Sequence, residues 1–418
     1  MIIPSIDIQR GHAVQLVGGK QLAIDAGDPL PHLERFAVAG EVALIDLDAA
    51  MGTGDNRAVL EPLLRRARCR VGGGIRDADA ARRWLDAGAE RVILGTAATP
   101  SVLRELPRER VLAALDAHAG EVMTHGWQTR TGQRLEDRLA ELAPFVGGFL
   151  VTFIEREGRM TGVEEARIAD LVARAAGVRV TYAGGVASPG DVALVDRLGA
   201  DCQVGMALYS GALDLGDAIA APLRSDRPDG LFPTVVRDEH GRALGLCWSS
   251  RASLREAVQT RRGVYHSRTR GLWRKGETSG DWQELLAVDL DCDRDALAFT
   301  VRQHGRGFCH LGSETCFGPG PGLAALERTI LARRPSAPAG SYTRRLLDDP
   351  ALLAAKLTEE AGELARAVRR EEVTAEAADL LYFTLVKLAA AEVRLADVAA
   401  ELARRTTRVT RRPGDAKP

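Results

Sequence analysis

Between Asp289 and Asp295 the chain reads Asp-Leu-Asp-Cys-Asp-Arg-Asp, setting Asp291, Asp293 and Asp295 at alternate positions around Cys292. Alternate residues of a strand share a face. Like charges so placed repel one another unless a cation sits among them, and hard oxygen donors favour magnesium or calcium. Cys292, Cys309 and Cys316 crowd into one stretch of 25 residues, and soft thiolates favour zinc. Three sulfur ligands leave a fourth position for water, the open arrangement of a catalytic zinc, which makes hydroxide near neutral pH. Taken singly, the aspartates read equally as a solvated acidic turn and the cysteines as small buried hydrophobes. Their interleaving, with His310 beside Cys309, favours the metal reading.

A second acidic pattern is Glu359-Glu360-x-x-Glu363, followed after twelve intervening residues by Glu376-x-x-Asp379. This spacing puts acids on one face of each of two successive helices, which together could cage magnesium for a pyrophosphate. A solvated helix surface is the commoner fate of one such pair, but the apolar run Leu380-Leu381-Tyr382-Phe383 after the second pair argues for burial. A third pattern is a repeat. Asp7 and Asp116, each closing an apolar run, lie 109 residues apart. At about the same spacing Gly73-Gly74-Ile75 recurs as Gly184-Gly185-Val186, and Gly95-Thr96-Ala97 as Gly205-Met206-Ala207. Glycines directly after a strand let the backbone approach a phosphate, whose charge meets amide N–H groups of the next helix. Two strand-end carboxylates can act as general acid and base when their pKa values are pushed apart, although capping is the ordinary task of each alone. Duplicated sites suggest a ligand with two similar ends.

Positioning these groups requires several domains. The 418 residues carry 56 basic and 57 acidic side chains, a formal charge of −1, which gives no global footprint for nucleic acid or an acidic membrane. Apolar runs at 2–6, 42–47, 69–71, 91–94, 111–115, 148–154, 178–182 and 201–204 alternate with amphipathic segments such as 77–87 and 163–175. Strand and helix in alternation predict a parallel sheet, here a (β/α)₈ TIM barrel over residues 1–223. The Pro- and charge-rich stretch 220–230 marks a boundary. Short strand-like runs with little helical period predict a small, mostly β metal-binding domain over 227–318, and an Ala-, Leu-, Glu- and Arg-rich segment predicts an all-α domain over 323–410. Residues 411–418 read as a solvated tail. The longest candidate span, 145–154, is about half what a bilayer helix needs. With six cysteines and no secretory leader pattern, the reading is cytoplasmic.

The barrel resembles the phosphoribosylformimino-aminoimidazole-carboxamide ribotide isomerases through Ile3-Pro4-Ser5-Ile6-Asp7, Val71 to Arg76, Ala183-Gly184-Gly185-Val186 and Gly205 to Tyr209. The resemblance implies a substrate with two phosphoribosyl ends, Asp7 as base, Asp116 as acid, Thr152 in support, and phosphate contacts at Gly73, Gly74, Gly95, Thr96, Gly184, Gly185 and Gly205. This chain departs from that pattern at Gln15 and Met206, where the family usually has Arg, at Phe153, where it has Asp, and at Glu157-Gly158-Arg159, where it has Asp-Gly-Thr. Residues 227–318 are similar to phosphoribosyl-AMP cyclohydrolase through Arg227 to Leu231, Gly263 to Arg270, Trp273 to Gly280 and Cys309-His310-Leu311-Gly312. This implies magnesium on Asp291, Asp293 and Asp295, zinc on Cys292, Cys309 and Cys316 at a dimer interface, and Ser267, Arg268, Arg270 and Lys275 as phosphate and ribose donors. Residues 323–410 resemble phosphoribosyl-ATP pyrophosphatase through Ser341 to Leu347 and Ala377 to Tyr382, which implies magnesium on Glu360, Glu363, Glu376 and Asp379, Glu359 in the same catalytic group, and Lys356 as a phosphate contact.

Together the resemblances imply a trifunctional histidine-biosynthesis enzyme, a homodimer with zinc and magnesium as cofactors and phosphoribosyl nucleotides as substrates, binding neither nucleic acid nor membrane. The alternative is a bifunctional hydrolase whose barrel is a non-catalytic scaffold or ligand sensor.

Overall fold

A computed structural model describes residues 1–124, 127, 129–318, 322–338 and 340–410; the tail 411–418 lies outside the described residues. The eight apolar runs form eight parallel strands: β1 (Ile2–Gln9), β4 (Val42–Asp46), β5 (Cys69–Gly72), β6 (Arg91–Leu94), β7 (Val111–His118), β10 (Gly148–Phe153), β11 (Arg179–Ala183) and β12 (Asp201–Val204). Their order is β10-β11-β12-β1-β4-β5-β6-β7, and β7 pairs with β10 to close the barrel. Strands covered on both faces need apolar residues at nearly every position, as in Gly148–Phe153, where all six are buried. The surrounding helices carry their own start signals: Asp77 accepts a hydrogen bond from the Ala80 N–H at 2.6 Å to open the helix Ala78–Ala87.

Two hairpins interrupt the alternation at equivalent places. β2 (His12–Val17) and β3 (Gln21–Gly27) follow β1; β8 (Glu121–Thr124) and β9 (Thr129–Arg134) follow β7. Both project from the strand ends that carry Asp7 and Asp116.

The mostly β region holds a six-stranded sheet, ordered β16-β15-β14-β13-β18-β17, from β13 (Phe232–Arg237), β14 (Ala243–Ser249), β15 (Val264–Ser267), β16 (Gly271–Arg274), β17 (Gln283–Leu290) and β18 (Leu297–Gln303). It also contains a helix where little helical period was expected, Arg251–Thr260. Ser250 and Ser253 cap its start reciprocally, and it buries Leu254, Ala257 and Val258.

Helices Leu323–Ser336, Tyr342–Asp348, Pro350–Arg366, Arg370–Ala390 and Leu395–Thr406 follow. Their core gathers Ile330, Leu346, Leu353, Phe383, Leu385, Val386 and Ala389. The chain divides into two compact units, one of Met1–Asp238, Leu246–Gly305 and the segment from Thr407, the other of Glu239–Gly245 and Arg306–Thr406. Among the described residues, no helix is long and apolar enough to cross a membrane.

Candidate active sites

At the barrel mouth, the C-terminal part of β1 presents Asp7, whose carboxylate accepts a hydrogen bond from Ser5 Oγ at 3.0 Å. Burial pushes Asp7 up to about 6. Asp116 on β7 stands opposite Thr152 of β10 in the parallel register. Burial raises it too, against hydrogen bonds from Trp127 and Thr152 that favour its charged form. A third carboxylate, Glu157, joins them and is raised to about 8, by burial first and then by the charges of Asp7 and Asp116. Sequence reasoning placed Glu157 only in a divergent loop; its signal was its position four residues beyond β10. Gly158 holds the loop in place. It is left-handed at φ +69°, and a Cβ there would come 2.5 Å from the Leu16 carbonyl oxygen, while Gly18 N–H donates to the Glu157 carbonyl at 3.2 Å.

Both glycine pairs adopt the same left-handed turn, φ +96° and +67° at Gly73 and Gly74, +97° and +88° at Gly184 and Gly185. A Cβ at Gly73 would sit 2.1 Å from the Asp46 carbonyl oxygen, and one at Gly184 2.9 Å from that of Phe153, so only glycine fits. Asp7, Gln15, Glu157, Gly184, Gly205 and Met206 line a small cleft at the barrel mouth.

In the turn from β17 to β18 the carboxylates of Asp291, Asp293 and Asp295 bring one oxygen each within 4.8 Å of one another. Asp291 accepts the Asp295 and Ala296 amides at 3.0 and 3.1 Å. Arg294 fixes the turn from outside, donating to the Asp291 carbonyl at 2.7 Å and to Asp196 at 2.9 Å. Asp295 is raised by its hydrogen bond with the Asp291 carboxyl and by the charge of Asp293, crowding that a divalent cation relieves. Cys292 is exposed in this turn. Cys309 is buried in a tight turn, its carbonyl accepting the Gly312 N–H at 2.9 Å, and Cys316 is exposed, its N–H donating to the Leu244 carbonyl at 2.8 Å. Cys292 belongs to one compact unit, Cys309 and Cys316 to the other.

The four candidate phosphate and ribose donors separate. Ser267 Oγ accepts the Arg270 N–H at 3.3 Å in the β15–β16 turn, with Arg268 over the Trp248 ring and Arg270 over Trp273. Lys275 lies at the other end of that hairpin. It is 9% exposed, its Nζ donates to the Asp281 carbonyl at 2.8 Å, and it lines a separate pocket with Arg262, Arg274 and Trp282.

The helical region brings its acids together. One carboxylate oxygen each of Glu360, Glu376 and Asp379 lies within 4.8 Å of the others, from two helices, and Glu359, Glu360 and Glu363 form an overlapping group. Desolvation and the charges of Glu363, Glu360 and Asp379 raise Glu376. Lys356 Nζ lies 2.9 Å from both Glu359 and Glu360, and this pairing holds the lysine pKa far above its ordinary value.

A closed α/β barrel with a cluster of buried carboxyls at its mouth, followed along the chain by two further acid clusters, defines a multidomain protein. The family model of the histidine biosynthesis protein matches residues 1–214, that of phosphoribosyl-AMP cyclohydrolase 245–318 and that of phosphoribosyl-ATP pyrophosphohydrolase 323–406. The chain therefore belongs to the histidine biosynthesis protein family and carries a cyclohydrolase and a pyrophosphohydrolase domain. It is 53% identical over 208 residues to a histidine biosynthesis trifunctional protein of Neurospora crassa, covering 50% of this chain and 24% of that one. It is 50% identical over 205 residues to a histidine biosynthesis bifunctional protein of Schizosaccharomyces pombe, covering 49% of each. With a phosphoribosyl imidazole-4-carboxamide isomerase of Methanospirillum hungatei it shares 37% over 234 residues, 53% of this chain and 99% of the relative. The chain spans about a quarter of the length of the Neurospora relative.

Proposed function

We propose that this chain performs three hydrolytic and isomerising steps of histidine biosynthesis: hydrolysis of phosphoribosyl-ATP to phosphoribosyl-AMP and pyrophosphate, hydrolytic opening of the purine six-membered ring, and isomerisation of the resulting aminoaldose to an aminoketose. The observation that carries this reading is that one chain matches three families in succession and that each match contains a cluster of the required chemistry. Phosphoribosyl nucleotides are the substrates, and the protein works in the cytoplasm as a homodimer.

In the barrel, once the bond from the aldose carbon to the ring oxygen has broken, Asp7 takes the proton from the adjacent carbon and returns it to the aldose carbon, and the hydroxyl on that adjacent carbon gives up its proton as it becomes the ketone. Asp116, whose burial favours the protonated form and which Thr152 orients, supplies a proton to the sugar ring oxygen. In the helical domain, Glu360, Glu376 and Asp379 suit magnesium by donor type and spacing, and Glu359 and Glu363 stand beside them to orient the attacking water. Asp291, Asp293 and Asp295 suit magnesium equally, and the thiolates of Cys292, Cys309 and Cys316 suit zinc. When bound, the zinc supplies an activated water and the magnesium neutralises phosphate charge.

The test is a product analysis over time with phosphoribosyl-ATP, magnesium and zinc. The aminoketose accumulates in the wild type, and Asp7→Asn stops one step earlier, at the ring-opened aldose. A wild-type mixture that halts at an aldose which added authentic isomerase then consumes favours the second reading, a non-catalytic barrel. The observation behind that reading is the filling of the cleft by Gln15 beside Gly205.

A further inference from the structure

The sequence repeat promises two equal phosphate cradles; the structure makes them unequal. At the first, Gly73 and Gly74 are half-buried and Gly95 and Thr96 exposed, and a Cβ at Gly95 would meet nothing within 4 Å. A cation stands at its rim: the Arg76 guanidinium is 3.3 Å from the carbonyl of Ala49, the residue against which Gly74 packs. At the second, Gly184 and Gly185 are buried. The space over Gly205 is filled by Gln15, whose Oε1 lies 2.4 Å from where a Cβ would be. Gln15 is 4% exposed and tied back by its Nε2 donating to the Val14 carbonyl at 2.8 Å. Glu157 Oε2 comes within 3.4 Å of the Cβ position at Gly184.

Among the described residues lining this cleft, none is a lysine, arginine or histidine, and two, Asp7 and Glu157, are acids. The neighbouring Arg156 lays its aliphatic stem against Gly185 and commits its guanidinium to the Gly162 carbonyl at 3.1 Å and to Glu164. A phosphate entering the second cradle must displace the Gln15 amide and meets the acids Asp7 and Glu157 but no cationic side chain among the described lining residues. Charge-assisted bonds to such an anion are the strong ones, and among the described residues lining the second cleft no side chain can make one.

We propose that Gln15 and Glu157 make the barrel an asymmetric binder, which anchors a two-ended phosphoribosyl ligand by its phosphate at Gly73, Gly74, Gly95 and Thr96 and holds the other end without phosphate recognition. The ligand's identity rests on the isomerase reading above; the asymmetry rests on the two cradles alone.

The experiment is calorimetric titration of the full chain, in an Asp116→Asn background that suppresses turnover, with the ring-opened ribotide and its two singly dephosphorylated forms. Loss of one phosphate weakens binding by about 100-fold or more, loss of the other by less than about 5-fold. Gly95→Glu, which puts a side chain and a charge into the open cradle, reproduces the larger loss. Gln15→Arg converts the smaller loss into one of about 10-fold or more. Equal losses for the two phosphates overturn the proposal, as does failure of the intact ribotide to bind, and the comparison with Gln15 in place decides without any variant at that position. If binding is asymmetric as described but wild-type protein leaves the ribotide unchanged, the isomerase reading fails and the asymmetry stands.

Discussion

Replacing Glu157 by Gln changes one thing above all, the response of the barrel to pH. Its carboxyl is displaced from the ordinary 4.5 to about 8. Below 4.5 both folded and unfolded chains hold the proton, and burial costs nothing. Between 4.5 and 8 the unfolded chain releases the proton and the folded chain keeps it, so stability falls as pH rises and the loss is complete above the folded value. At about 1.4 kcal/mol per pH unit the displacement corresponds to about 5 kcal/mol. The side chain is only half-buried at an open cleft, and water there screens the charge; taking half gives about 2 kcal/mol. Glutamine has the same shape and no titration, so Glu157→Gln gains roughly 2 kcal/mol over the wild type between pH 5 and pH 8.5. With a denaturant dependence of about 3 kcal/mol per molar, the variant's urea midpoint moves ahead by roughly 0.7 M across that range. Removing the charge also relieves Asp7 and Asp116, so the three carboxyls titrate as a set, and the difference between the two proteins reports the set. In activity, the wild-type KM for the aminoaldose climbs above pH 8 and the variant's stays flat. A midpoint difference that does not change with pH, or a wild type that grows more stable toward pH 8.5, refutes the reasoning.

Four other outcomes follow from the remaining sites. Asp293→Asn and Cys309→Ala each cut ring opening by about 100-fold or more while pyrophosphate release continues, so chromatography finds phosphoribosyl-AMP accumulating. Glu360→Gln does the reverse: pyrophosphate release from phosphoribosyl-ATP is lost by a similar factor of about 100, and supplied phosphoribosyl-AMP is still opened. Chelation of divalent ions stops both hydrolytic steps but leaves isomerisation of supplied aldose within about 2-fold, because Asp7, Asp116 and Thr152 need no cation. Leu346→Ala, at a side chain with 0% exposure, costs about 2 to 5 kcal/mol in the helical core, seen as an earlier melting transition.

What could be read from sequence was whatever a single segment dictates by itself. Barrel strands buried on both faces, such as Gly148–Phe153, announce themselves because nearly every position is apolar, Thr152 at the site being the exception. The acids at 359, 360, 363, 376 and 379 follow helical spacing, and two adjacent helices were enough to bring them together. The hairpins gave no such signal. β9 has no buried residue and β3 none either, so neither carries the apolar alternation that marks a half-covered strand. Yet it is a hairpin strand, β2, that carries Gln15 into the second cradle, and the β2–β3 turn receives the loop bearing Glu157. Lys275, within Trp273-Arg274-Lys275-Gly276, donates to the Asp281 carbonyl and lines a pocket, a placement that its segment alone does not dictate. A duplicated sequence therefore predicts two matching backbone turns, and the glycines deliver them with nearly equal φ at Gly73 and Gly184. It does not predict matching sites, because each site is finished by side chains on hairpins and loops beyond the repeated glycine segments, such as Gln15 on β2 and Glu157 after β10. The chemistry of the two ends diverges through those side chains while the backbone beneath them stays the same.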